Sequence, residues 1–322
     1  MFSKEIEWLR KLERLILLGG ALTLAVPILV GAQTAPTAEF SGERAFYWLE
    51  TQVAMGPRVP GTAGNRQLQG LIVTTARDLG FAVSTACLQV DDPLSDDVME
   101  ICNVVVTIAG SGASDADRLW LGAHFDTRPI SDQDPDPARQ GLPLLGANDG
   151  GSGVAILLHL MELMNVQTPP TAVNLLFFDG EDSGTPGIPD SFCLGSQHLA
   201  RTWREFGSPL AGPQPRGLIV LDMVAGQNLS IPMEGFSLQY APAWTAAVFD
   251  RAAQLGISSL LAGAGRPVYD DHVPFLLAGI PAVDLIDFDY PQWHTMDDLP
   301  AACSPESLAE VGKLVWDLIT NP

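Results

Sequence analysis

The sequence predicts an α/β fold, a three-layer sandwich in which a central mixed, mostly parallel sheet lies between two layers of helices. Short apolar runs rich in β-branched residues alternate along the chain with amphipathic stretches of helical periodicity. The chain has 322 residues, of which 47% are hydrophobic and 17% charged, the composition of a globular protein with one sizeable core. We therefore expect one large folded domain.

The predicted strands are short apolar runs bounded by turn-forming residues. They cover residues 81–90, 101–108, 119–123, 173–178, 218–221 and 282–286. The predicted helices show amphipathic spacing between these runs, and they cover residues 62–79, 152–165, 193–205, 241–255 and 304–320. The alternation of the two types supports a mostly parallel sheet.

Residues 1–32 form a predicted export segment. Four basic and three acidic side chains precede an uncharged run from Leu15 to Ala32. This run is near the lower limit for spanning a bilayer, and the small residues at 30–32 could also form a cleavage site, so a membrane anchor and a cleaved signal peptide both remain open. Residues 33–40 are a predicted linker, and 41–322 a single catalytic domain outside the cytoplasm.

The net charge of −21 makes nucleic acid an unsuitable partner. An acidic surface favours cationic partners such as peptide N-termini, although it also serves solubility alone. None of the four cysteines forms a C-x-x-C pair, which argues against a thiolate zinc site. Cys87 and Cys102 flank an acidic loop between two predicted strands, and export makes a disulfide between them plausible.

Residues able to bind metal follow several predicted strands. His124 and Asp126 come after the third strand, Glu181 and Asp182 after the fourth, and Asp222 after the fifth. Because ligands bind at the carboxyl ends of strands in open α/β sheets, we expect these side chains to converge. Asp126 is expected to orient His124 by a hydrogen bond.

Further candidates lie in two other segments. Asp149 occupies a glycine-rich turn, GANDGGSG, that opens a helix, where small residues allow a carboxylate to approach a cation. The stretch from Tyr269 to Asp298 contributes Asp270, His294 and a preceding Trp293 that could form the wall of an apolar pocket. The sequence lacks H-E-x-x-H and G-x-S-x-G, which argues against a helical zinc protease and a serine hydrolase.

Residues 42–320 resemble the animal-type glutaminyl-peptide cyclotransferases, relatives of the dinuclear zinc aminopeptidases with a zinc exopeptidase-like fold. The resemblance rests on the motifs AHFDTRP, GANDGGSG, LLFFDGED, LGSQHLA, LIVLDMV, DDHVPFLLAGIP and WHTMDD. It implies conversion of an N-terminal glutamine to pyroglutamate on peptides or proteins.

The resemblance also implies roles for individual residues. Asp149, Asp182 and His294 would hold one zinc and Glu181 would be the acid and base. Asp222 would bind the substrate or stabilise its intermediate, Asp270 would belong to a supporting network, and Trp293 would line the pocket. The aminopeptidase relatives imply a second zinc held by His124 and Asp222, with Asp149 bridging, and a non-catalytic ectodomain of the same fold is a third alternative.

Three positions depart from the animal enzymes. Asp182 stands where they usually have glutamate, Asp284 stands where they have histidine, and the loop from Ser183 to Ser191 lacks a tryptophan that they place there.

Overall fold

Eight strands are formed by the part of the chain that the computed structural model describes, residues 38–112 and 117–322. They are β1 Ala82–Asp91, β2 Val98–Ile108, β3 Leu119–His124, β4 Val173–Phe178, β5 Gly217–Asp222, β6 Ile231–Met233, β7 Leu260–Ala264 and β8 Ala282–Ile286. Six of them form the central sheet in the order β1-β2-β4-β3-β5-β8, while β6 and β7 form a separate parallel pair.

The central sheet is mixed and mostly parallel, as predicted. β1 pairs antiparallel with β2, and β2 pairs antiparallel with β4. The remaining pairings, β4 with β3, β3 with β5, and β5 with β8, are parallel. The carboxyl ends of β3, β4, β5 and β8 therefore lie along one edge of the sheet.

The helices flank this sheet. They are α1 Gly42–Val53, α2 Ala63–Asp78, α3 Ser152–Val166, α4 Leu194–Thr202, α5 Gly235–Tyr240, α6 Pro242–Gln254, α7 His272–Leu277 and α8 Pro305–Thr320, with short 3₁₀ turns at Pro189–Ser191 and Pro300–Ala302. Side-chain oxygens cap several N-termini: Thr62 accepts a hydrogen bond from the amide of Asn65, and Ser304 accepts bonds from those of Glu306 and Ser307.

Alternating side chains of the strands supply two separate cores. In β3, Leu119 and Leu121 join one core while Trp120 joins the other, as expected from the two-residue period of a strand. The first core also takes residues from α1, α2, α3, α6 and α8, and the second takes residues from α4 and α7. This arrangement of helix layers on both faces confirms the three-layer α/β sandwich.

Close packing brings the start of α3 to the edge of the sheet. A Cβ on Gly153 would lie 2.1 Å from the carbonyl oxygen of Leu221 in β5, so only glycine allows this approach. The turn before α3, which contains Asp149, is thereby held beside the carboxyl ends of β3 and β5.

Cys87 and Cys102, the cysteines paired in the sequence analysis, face each other across β1 and β2 and are joined by a disulfide. The predicted export segment at 1–32 and residues 33–37 of the predicted linker lie outside the described residues. Within 38–112 and 117–322, no helix combines the length and apolarity needed to cross a bilayer.

Candidate active site

The described residues form three groups of potential metal-binding side chains, and two of these groups share Asp149 at the carboxyl edge of the sheet. One contains Asp149, Asp182 and His294, and the other contains Asp149, His124 and Asp222. All five residues are buried, and the candidate donor atoms within each group lie within 4.8 Å of one another. The structure thus brings together residues that are far apart in sequence, as the strand-end argument predicted.

The first group has separations that suit a zinc ion. His294 Nε2 lies 3.2 Å from Asp182 Oδ1 and 3.7 Å from Asp149 Oδ2. Nitrogen and oxygen ligands at their usual zinc distances in a tetrahedron are about 3.3 Å apart. Asp182 Oδ2 is buried and has no hydrogen-bond partner among the described residues. The donor set therefore fits zinc.

The second group has similar spacing. His124 Nε2 lies 3.2 Å from Oδ1 of both Asp149 and Asp222. The two oxygens of Asp149 face different histidines, so this carboxylate stands between the groups. The first group therefore supplies three donors for one metal ion, and the second group supplies a complete set of donors for another.

Asp132 and Arg128 hold the first group in place. Asp132 Oδ1 accepts a hydrogen bond from His294 Nδ1 at 3.0 Å, which leaves Nε2 free to bind metal. Arg128 donates to both oxygens of Asp132 at 2.9 Å and to Asp182 Oδ1 at 3.3 Å. Burial alone would raise the pKa of Asp132, but His294 and Arg128 outweigh it and lower that pKa.

Two other buried carboxylates fix the backbone near the donors. Asp126 accepts hydrogen bonds from the amides of Glu181 and Asp182, at 3.2 and 3.1 Å. Asp298 accepts bonds from the amides of Asn148 and Asp149, at 2.9 and 3.1 Å. The hydrogen bond expected between Asp126 and His124 is absent, because Oδ1 lies 3.6 Å from Nδ1. Asp126 supports the backbone of the acid pair instead.

Glu181 lies beside both donor groups. Its Oε2 is 3.9 Å from His124 Nδ1, and its Oε1 accepts a 3.4 Å hydrogen bond from the thiol of Cys193. Burial raises the pKa of the Glu181 carboxyl well above its usual range; His124 opposes the shift, and the Asp182 and Asp270 carboxylates reinforce it. A raised pKa suits a carboxyl that has to act first as proton acceptor and then as proton donor.

Behind Glu181 lies a buried acidic cluster. Its members are Glu234, Asp270, Asp271, Asp284 and His272. His272 Nε2 bonds Glu234 Oε2 at 2.9 Å, whereas Asp271 and Asp284 have no hydrogen-bond partner for either carboxylate oxygen among the described residues. Burial and neighbouring acids raise the pKa of Asp271 and Asp284 well above the usual range. Asp270 belongs to this cluster and accepts a hydrogen bond from the amide of Asp271, while the supporting role that the resemblance implied for it stays a prediction.

A cavity of about 270 Å³ opens onto these groups. Trp293 forms part of its wall and stacks on His294, with ring centroids 3.9 Å apart. Its lining includes Glu181, Asp222, Tyr269, Phe192 and Phe288. The cavity thus combines an apolar wall with acids and metal donors, which is typical of a small-ligand site.

Backbone strain is concentrated at this site. Among the described residues, the non-glycine residues with positive φ are Cys193, Met223 and His294, with φ of 57°, 47° and 54°. Each one either contacts Glu181, follows Asp222 or belongs to the first donor group. Strained residues of this kind cluster where a structure fixes functional side chains.

Sequence reasoning missed Asp132, Arg128, Asp298 and Cys193. Arg128 lies within the AHFDTRP motif, and Cys193 immediately precedes LGSQHLA. Asp132 is one of several acids in a loop, and nothing in the local sequence distinguishes it from Asp134 or Asp136.

Comparison with known proteins matches residues 103–319 to the model of peptidase family M28. Glutaminyl-peptide cyclotransferase from Drosophila melanogaster is 26% identical over 75% of this chain and 70% of its own length. The crystal structure of Porphyromonas gingivalis glutaminyl cyclase has a TM-score of 0.80 and 34% identity, covering 86% of this chain and 97% of that one. A Zn-dependent exopeptidase from Parabacteroides distasonis has a TM-score of 0.82 and 31% identity, covering 89% of this chain and 100% of that one.

These similarities confirm the resemblance to the cyclotransferases and the zinc exopeptidase-like fold expected from the motifs. The family match spans two thirds of the sequence and includes every candidate metal-binding residue. The chain belongs to peptidase family M28.

Proposed function

We propose that this protein is a zinc-dependent glutaminyl-peptide cyclotransferase, which converts the N-terminal glutamine of peptides to pyroglutamate and releases ammonia. The observation that carries the proposal is the position of Glu181, a largely but not fully buried acid beside a three-residue zinc donor set and in the wall of an aromatic-lined cavity. The similarity to glutaminyl cyclases supports the same activity.

The cavity suits a single terminal residue. A volume of about 270 Å³ lies at the lower end of ligand pockets, so it admits one folded side chain rather than a long peptide segment. Trp293 and Phe288 would pack against the glutamine methylenes, while Asp222 lies where a carboxylate can accept a hydrogen bond from substrate N–H groups. Holding the side chain against its own amine supplies much of the rate, because the reaction is intramolecular.

Asp149, Asp182 and His294 would hold the zinc, which when bound polarises the γ-carbonyl of the glutamine as a Lewis acid. The amine has a reference pKa near 8, so roughly a tenth to a quarter of it is neutral at physiological pH. The amine nitrogen forms a bond to the carbonyl carbon of the side-chain amide (Cδ), and the bond from that carbon to the amide nitrogen breaks. Glu181 takes the proton from the attacking amine and delivers it to the departing ammonia.

The test is turnover of peptides with an N-terminal glutamine by zinc-loaded protein. Glu181→Gln should retain zinc while turnover falls by roughly 10²-fold or more, because only proton transfer is removed. Asp182→Ala and His294→Ala should lose both zinc and activity. Intact N-terminal glutamine after prolonged incubation with zinc-loaded protein would overturn the proposal.

A dinuclear zinc aminopeptidase is the second candidate, and the donor group of His124, Asp149 and Asp222 favours it. That enzyme would bind two zinc ions per chain, require His124 and release free amino acids from unblocked peptides. Metal content, together with turnover of an aminoacyl-anilide beside a glutamine peptide, separates the two activities. A protein inactive on both substrates would match the non-catalytic alternative.

We further propose that residues 41–322 are one catalytic domain outside the cytoplasm and that 1–32 act as its anchor or cleaved signal. The basic residues before the apolar run of 1–32 support this orientation. Protease treatment of intact cells should digest an anchored catalytic domain. A cytosolic location of the domain would contradict the proposal.

A further inference from the structure

A second cavity adjoins the catalytic one. It has a volume of about 620 Å³ and lies between α4, the turn that follows it, and α7. Tyr269 lines both cavities. The 3₁₀ turn at Pro189–Ser191 also borders both, because Pro189 lines the catalytic cavity and Asp190 lines the second one. Tyr269 and this turn therefore form the wall shared by the two cavities. We call this second cavity the α4–α7 groove.

The groove offers an apolar floor with a basic rim. Trp203, Pro274 and Leu277 supply apolar surface, and the Leu277 side chain is 71% exposed. Arg201 and Arg204 line the same groove and are exposed. An extended peptide needs apolar surface of this kind for its side chains and polar groups that fix its position.

The two arginines are not neutralised by the protein. Arg201 Nη1 makes only a 3.4 Å contact with Gln197 Oε1, and the Arg204 guanidinium lies 4.4 Å above the Trp203 ring. Within residues 38–112 and 117–322 neither forms an ion pair. In a chain with 38 acidic and 17 basic residues, two unpaired guanidiniums beside a groove create a local attraction for anions.

We propose that the α4–α7 groove binds the part of the substrate peptide that follows the N-terminal glutamine, and that Arg201 and Arg204 select a carboxylate there. This inference rests on the proposed cyclotransferase function. The groove lies next to the catalytic cavity, on the other side of Tyr269, and that cavity is too small for more than the terminal residue. The carboxylate could be an Asp or Glu side chain or the C-terminus of a short peptide.

The test uses peptides of six residues that begin with glutamine and carry Glu, Gln or Lys at each position from three to six, with the C-terminus amidated. For the wild type we expect kcat/KM to be about 2- to 5-fold higher with Glu than with Gln at one or more positions, and lower with Lys, because exposed ion pairs contribute modestly. The preference should weaken in high salt. A parallel set with free C-termini distinguishes a terminal carboxylate from a side chain.

Arg201→Gln/Arg204→Gln should bring the Glu-to-Gln ratio close to one. The matched control is Arg66→Gln/Arg77→Gln, which removes the same charge from exposed positions of α2 in the opposite helix layer. This control should keep the preference. A wild-type ratio of one at every position and at the C-terminus, or a preference that survives in the groove variant, would overturn the inference.

Two measurements separate failure of this inference from failure of the proposed function. Turnover of glutaminyl-alanine amide by the wild type reports on cyclisation alone, because this substrate has no residue beyond the second. Binding of labelled peptides to Glu181→Gln reports on the groove without turnover. A Kd that favours Glu supports the groove even if no peptide is cyclised, and equal Kd values contradict it.

Discussion

Asp132 determines how His294 presents the nitrogen that we propose to bind zinc. The hydrogen bond from Nδ1 fixes the ring, and Arg128 fixes Asp132 in turn. Supporting residues of this kind usually contribute 10- to 100-fold to metal affinity. Asp132→Ala should therefore weaken zinc binding by that factor while the fold is retained, as measured by competition with a chelator. Asp136→Ala, an exposed position in the same loop, is the control and should bind zinc like the wild type. Equal affinities of both variants would show that Asp132 has no such role.

Cys193 contacts Glu181, the carboxylate that we propose to move the proton. Its thiol donates to Glu181 Oε1, and its own amide donates to the Glu181 carbonyl oxygen at 2.8 Å. Loss of a neutral hydrogen bond costs about 0.5–1.5 kcal/mol, or roughly 2- to 12-fold in a rate that depends on it. Cys193→Ala should lower kcat by that factor with KM and zinc content unchanged, and Cys193→Ser should restore most of the rate because a hydroxyl can donate similarly. Equal kcat values for the two variants would contradict the positioning role.

At the residue scale, the sequence predicted which side chains converge but not what supports them. Asp149, Asp182 and His294 could be proposed because each stands in a distinctive motif, and two of these motifs follow a strand or open a helix. Asp132 meets His294 only after two loops separated by 162 positions are folded together. No local pattern encodes that contact. The left-handed backbone at Cys193 is likewise set by tertiary packing rather than by its own preference.

The β1–β2 ribbon forms one end of the central sheet, and a disulfide joins its two strands. Among the described residues β1 pairs with β2 alone, so this end relies on one ladder and the Cys87–Cys102 bridge. Closing a loop of about 15 residues contributes about 3 kcal/mol in the chain-entropy description. Cys87→Ser/Cys102→Ser should lower the free energy of unfolding by about that amount in urea titrations. Reductant should lower the wild type towards the double variant and leave the variant unchanged; a wild-type midpoint insensitive to full reduction would contradict the prediction.

At the element scale, the long periodic segments were the most predictable. β4 and β8 have the predicted bounds, and the other four strands of the central sheet differ from prediction by one to three residues at an end. The elements that were missed are α1, α5, α7, β6 and β7. α5 and α7 are six residues long, and β6 is three, too short for a hydrophobic period to be recognised. β7 contains Leu-Leu-Ala-Gly-Ala and is mostly exposed, so it lacks the alternation that identifies a strand.

Over the whole molecule, acidity appears both on the surface and in the interior. The chain has a net charge of −21. Its buried acidic cluster contains Glu234, Asp270, Asp271 and Asp284 beside His272. Surface acids are solvated, but a buried carboxylate without a cation or hydrogen-bond donors is costly and retains its proton instead. The interior cluster therefore makes the stability of the entire fold depend on pH.

The direction of that dependence follows from the raised pKa of Asp284. Burial and its acidic neighbours raise the pKa of the folded carboxyl, so it ionises at a higher pH than in the unfolded chain, where an aspartate ionises near pH 4. The unfolded state thus loses its proton first as pH rises, and the contribution of Asp284 to stability declines from about pH 4 up to its folded pKa. The decline can reach at most about 1.4 kcal/mol per pH unit.

Asp284→Asn removes this titration while keeping the shape of the side chain, and its amide can donate to a neighbouring carboxylate. When measured between pH 5 and pH 8.5, the melting temperature of the zinc-loaded variant relative to the wild type should therefore rise with pH until the folded pKa of Asp284 is reached. Asp78→Asn, an exposed position in α2, serves as the control and should show a small difference that does not change with pH. A difference for Asp284→Asn that is also constant across this range would show that Asp284 is ionised in the folded protein. The melting temperature of His272→Gln, measured over the same pH range, would then test whether His272 is the donor that compensates this charge.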